Sequence, residues 1–156
     1  MNKQSLPITR GLSLAYILST VSALLVAGAS LAGILLKDAL YPTEELYQSF
    51  IANDVVNLLI GLPILLGSMA LARRGRLVGL LFWPGALLFI TYNSIAYAAA
   101  MPLTWVFAIN LVLVLMSIFT IYLLLTSMNS ETIREQLKGK VPEKFPAGVL
   151  AGLGIL

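Results

Sequence analysis

LVGLLFWPGALLFITYNSIAYAAAMPLTWVFAINLVLVLMSIFTIYLLLTSMNS, residues 77–130, lies between Arg76 and Glu131 without a single charged side chain. These 54 residues are too many for one membrane crossing, because about 20 residues of helix already cover a ~30 Å hydrocarbon core. They are enough for two crossings. The division falls at Met101-Pro102, since Pro favours the first turn of a helix and disfavours helix in the residue before it. The run therefore reads as two spans, 77–100 and 103–126, joined by a tight turn.

Working outward, residues 11–36 between Arg10 and Lys37 and residues 55–72 between Asp54 and Arg73 are also uncharged. The expected fold is an all-α integral membrane protein, an antiparallel bundle of four transmembrane helices at about 11–36, 49–72, 77–100 and 103–126. One membrane domain, 1–156, accounts for the chain, and no internal repeat stands out. Residues 127–144 read as a solvated cytoplasmic segment. The apolar tail 145–156 is too short to cross a bilayer and reads as an interfacial helix or the start of a fifth span.

The charges give the orientation. With the N-terminus inside, Lys3, Arg10, Arg73, Arg74, Arg76, Arg134, Lys138, Lys140 and Lys144 are cytoplasmic and only Lys37 is outside. This distribution predicts a multi-pass protein of the cell membrane with a cytoplasmic N-terminus. Arg73, Arg74 and Arg76 then anchor a short hairpin beside anionic lipid headgroups, so the net charge of +3 needs no nucleic-acid partner. Residues 1–29 also fit a secretory signal ending at Ala27-Gly28-Ala29, although the apolar run continues well past a usual signal core.

Composition bounds the chemistry. His and Cys are both absent, so no imidazole base, thiol nucleophile, disulfide or zinc-type ligand set can be built. No pair of intramembrane acids exists for acid–base hydrolysis. The expectation is a non-enzymatic protein with no catalytic residues, metal or cofactor. Its expected partners are the lipid bilayer and a second copy or another membrane subunit.

One constellation remains. Counted at ~1.5 Å per residue from Arg73 and Arg76, Asn57 and the pair Tyr92-Asn93 lie at the same depth, about 24 Å away. Asn53, Asp54, Tyr97 and Asn110 lie near them toward the outer side. Asn53 and Asn57 are four residues apart, as are Asn93 and Tyr97, so each helix can present a polar stripe. Polar groups facing lipid are costly, and an ionisable side chain inside a membrane is a functional candidate by default. Asn53, Asp54, Asn57, Tyr92, Asn93, Tyr97 and Asn110 thus form a candidate ligand-binding cluster, suited to a small cation, a hydroxylated or amine-bearing ligand, or a proton.

The bland alternatives are that Asp54 only caps span 2 at the interface and that the amides only join helices. The functional expectation is small-molecule or ion binding or transport, or an accessory role, with a structural or sensory subunit as the alternative and a lipid-processing enzyme behind both. Pro63 and Pro84 are expected to bend spans 2 and 3, because each lacks an N–H and crowds the carbonyl four residues back.

Overall fold

The computed structural model describes residues 6–41, 43–103 and 105–137. The apolar tail 145–156 lies outside the described residues. The helices are α1 (Ser13–Leu35), α2 (Lys37–Leu40), α3 (Glu44–Arg73), α4 (Leu77–Ala100), α5 (Trp105–Ser127) and α6 (Ser130–Leu137). Four of them, α1, α3, α4 and α5, are long and apolar enough to cross a membrane. The described chain is the expected all-α bundle of four spans.

The spans form a closed ring in which α1 packs on α3, α3 on α4, α4 on α5, and α5 back on α1. Side chains also meet across the diagonal: Trp83 of α4 donates its indole N–H to Ser19 Oγ of α1 at 2.8 Å, and its ring lies 4.5 Å from that of Tyr16. Trp83 is fully buried, so it belongs to the core and to no interfacial belt. Leu65, Leu80, Leu87 and Leu113 fill the centre around it.

The second span begins earlier than its uncharged run. Thr43 caps α3, accepting the Leu46 amide at 3.3 Å, and Glu44 and Glu45 occupy the first turn beside the positive end of the helix dipole. The helix then runs without interruption into the apolar segment. Asp54 consequently sits well inside a helix, which removes the capping role that its position in the sequence had allowed.

The two prolines act differently. Ahead of Pro63 the helix widens into one π turn, Asn57–Gly61, where the Leu62 N–H reaches back five residues to the Asn57 carbonyl. A π turn is one recognised cause of a helix bend. Pro84, in contrast, is carried inside an uninterrupted α-helical segment.

At the arginine-rich end, the turn between α3 and α4 has Gly75 at φ 76°, a left-handed conformation that a side chain would strain. There the segment before α1 also ties the first span to the fourth: Thr9 N–H donates to the Ser127 carbonyl at 2.8 Å and Asn129 N–H to the Pro7 carbonyl at 2.9 Å. Asn129 then caps α6 by accepting the Thr132 amide at 3.1 Å.

Candidate functional site

The apolar core is split into two clusters with a polar layer between them. One cluster, running toward the arginine-rich end, includes Val26, Leu62, Ile90 and Leu113; the other contains Leu40, Tyr41, Phe50, Tyr97, Met101 and Val106. On each span the polar residues fall between members of the two clusters: Ser30 on α1, Asp54 and Asn57 on α3, Asn93 on α4 and Asn110 on α5. All five are buried.

Asp54 is the centre of this layer and is 2% exposed. Two phenols hold its carboxylate. Tyr41, from the connection between α2 and α3, donates to Oδ2 at 2.5 Å, and Tyr97 of α4 donates to Oδ1 at 2.8 Å. The Tyr97 hydroxyl also lies 3.2 Å from the Phe50 carbonyl, and its ring packs on Phe50 at 4.4 Å. No ion pair to Asp54 occurs among the described residues.

A second chain of hydrogen bonds joins three helices. Asn93 Nδ2 donates to Asn57 Oδ1 at 2.9 Å, and Asn57 Nδ2 donates to Ser30 Oγ at 3.2 Å. Ser30 neighbours the Asp54 carboxylate, so its own hydroxyl hydrogen is free to point there. Asn110 Nδ2 is satisfied within α5 by the Val106 carbonyl at 2.9 Å.

α1 reaches Asp54 because Gly33 has no side chain. A Cβ there would overlap the Asp54 carboxylate and stand 2.9 Å from the Tyr41 hydroxyl, so only Gly allows this close approach.

These groups enclose a cavity of about 30 Å³, measured as the space open to water centres. On that measure one water fills roughly 10–15 Å³, so the cavity takes two or three water-sized occupants. Asp54, Asn57, Asn93, Ser94 and Asn110 line it, with Leu40 and Tyr41 on the wall nearest the α1–α3 connection. Tyr41 also lines a second, polar recess of about 200 Å³, together with Lys37, Asp38, Thr43, Glu44 and Tyr47. Tyr41 thus lines both the recess and the cavity. Burial and the hydrogen bond to Asp54 push its ionisation well above the usual range of a tyrosine, so it remains a neutral donor.

Of the residues singled out from sequence, Asp54, Asn57, Asn93, Tyr97 and Asn110 meet around this cavity. Asn53 is half-buried beside it without lining it, and Tyr92 is 72% exposed, turned away from the bundle. Neighbouring residues on a helix stand about 100° apart; the inward arc of α4 takes in Asn93 and Ser94, and Tyr92, on the other side of Asn93, falls outside it. Ser30, Gly33, Tyr41 and Ser94 complete the site without having been identified. The Asn93/Tyr97 stripe continues through Ser94, one residue from Asn93, whereas nothing local marks Tyr41, whose place depends on how the connection folds back.

Among the described residues no group of three or more Asp or Glu side chains is placed to hold a metal ion. Comparison with models of protein families, with curated proteins and with solved structures finds no match to this chain.

Proposed function

We propose that this chain binds a small monocation, a proton or a cation no larger than a water molecule, at Asp54 and serves as a carrier or ion-binding subunit of the membrane, without enzymatic activity. The observation that carries this reading is a carboxyl group 2% exposed inside a span, with no basic partner among the described residues, beside a cavity that Asn57, Asn93 and Asn110 also line. A buried charge needs a counter-charge. With the arginines absent from this level, a bound monocation or a proton supplies it. A divalent ion would leave one uncompensated positive charge in the same low-dielectric layer, where charge is expensive.

Orientation enters through the basic residues. With Arg73, Arg74 and Arg76 at the cytoplasmic face of the cell membrane, the recess beside Tyr41 opens to the outside. Ligand then arrives past Asp38 and Glu44, and Tyr41 must swing aside to admit it to Asp54.

The second reading is that the polar layer serves only to join helices. The mutual satisfaction of Asn57, Asn93 and Ser30 favours it, since such bonds hold membrane helices together by roughly 0.6–2 kcal/mol each. Proteoliposomes separate the two. The binding reading expects proton or alkali-cation flux in the wild type and background flux in Asp54→Asn; equal flux in both, or none in either above protein-free vesicles, supports the structural reading.

A further inference from the structure

A second feature lies on the opposite half of the bundle and is independent of Asp54. Near the Tyr41 end, α1 and α3 touch through Gly33 and through the Asn57–Ser30 bond. Toward the arginine-rich end Tyr16 bridges the two helices, and an open groove of about 720 Å³ lies beside it on the bundle surface.

The chemistry of the groove is polarised along its length. Its walls include Tyr16, Thr20, Val21, Leu66 and Ala70, and Arg73 closes one end. Two of the polar wall groups are already used: the Tyr16 hydroxyl donates to the Met69 carbonyl at 3.3 Å, and the Thr20 hydroxyl donates to the Tyr16 carbonyl at 2.8 Å, which leaves Ser13, at the Arg73 end, as the other hydroxyl of the wall. Away from the end that holds Ser13 and Arg73, the groove therefore presents mainly hydrocarbon. Arg73 is exposed and makes no ion pair among the described residues, and Arg10, Arg74 and Arg76 are exposed at the same end. The acids described at that end are Glu131 and Glu135, both on α6, and neither lines the groove.

We propose that this groove is a binding site for an anionic phospholipid, with one acyl chain lying between α1 and α3 and the phosphate against Arg73. The apolar walls match the chain, and the guanidinium, a planar fork of donors, matches phosphate oxygens in both charge and geometry. Val21 and Leu66 lie about 12 Å and 10 Å along their helices from Ser13 and Arg73, so the groove follows the bilayer normal for the first part of an acyl chain.

The test uses the full chain in mixed micelles, with phosphatidylglycerol and phosphatidylcholine of identical acyl chains as competing probes, read by native mass spectrometry. The expected result is one retained phosphatidylglycerol per chain, favoured about fivefold over phosphatidylcholine, the factor that one basic residue near a membrane surface confers. Arg73→Gln should remove the preference while a lipid is still retained, and Val21→Trp, which fills the groove from an exposed position, should abolish retention. Glycerol phosphate, a headgroup without chains, should fail to compete. Equal retention of the two lipids by the wild type, an unchanged preference in Arg73→Gln, unchanged retention in Val21→Trp, or a second copy of the chain retained in place of lipid would each overturn the assignment.

Discussion

The Tyr41 hydroxyl donates to Asp54 Oδ2 at 2.5 Å, closing the connection between the first two spans onto a carboxylate that lies inside the second. A loop residue thereby becomes part of the candidate site between the four long helices, and it lines the neighbouring polar recess as well.

Removing one of the two phenol donors should be costly in a way that reports on Asp54. Tyr97→Phe keeps the ring packed on Phe50 and deletes only the hydroxyl. Hydrogen bonds to charged groups contribute about 1.5–3 kcal/mol, so a loss of that order is expected from unfolding titrations in micelles. In Asp54→Asn the same Tyr97→Phe change should cost about 1 kcal/mol or less, because its charged acceptor is gone.

Gly33 and Gly28 should respond in opposite ways to Ala. At Gly33 the added methyl meets the Asp54 carboxylate, and overpacking of this kind costs about 1–3 kcal/mol. At Gly28 nothing lies within 4 Å, so Ala should be neutral or stabilising by up to about 1 kcal/mol through its better helix propensity. Thermal midpoints of the two single variants check this directly.

Alkaline pH should weaken the fold through Tyr41. Burial and the hydrogen bond to Asp54 raise its ionisation above the usual tyrosine range, about 10. A group whose pKa is raised on folding contributes stability that is complete below its unfolded pKa and declines as pH rises above it. Stability of the wild type should therefore fall as pH climbs past 10, and Tyr41→Phe should show a shallower decline in the same titration. Equal slopes would mean that Tyr41 is not buried against Asp54.

Asn57 and Asn93 provide a test of the polar layer as a coupled unit. Their amide bond at 2.9 Å predicts that Asn57→Ala and Asn93→Ala are not additive, with a coupling of about 0.6–1.7 kcal/mol. A double-mutant cycle on unfolding free energies measures it.

Much of this was legible in the chain before folding. Breaks in charge at Arg10, Lys37, Arg73, Arg76 and Glu131 delimit the spans because charge in hydrocarbon is so unfavourable that its absence is informative. Asn93 and Tyr97 could be paired because a helix repeats its face every three to four residues. Depth alone proved a poorer guide: Tyr92 shares a level with Asn93 and faces away from the bundle. Small residues on α1 such as Gly33, four residues from Ala29, read in the sequence as a packing face, and only the neighbouring helix determines that Ser30 and Gly33 are the ones at the Asp54 level. The shift at Asn57–Gly61 was foreshadowed by Pro63, although its form as a π turn was not.

The central claim, a monocation or proton at Asp54, is tested most directly by the thermal midpoint of the purified protein in lithium, sodium, potassium and choline chloride at constant ionic strength, each across a range of pH. The account predicts that the wild type responds to pH or to one small cation, that choline, too large for a cavity of about 30 Å³, gives no such response, and that Asp54→Asn loses the response altogether. Identical profiles for the wild type and Asp54→Asn would contradict it.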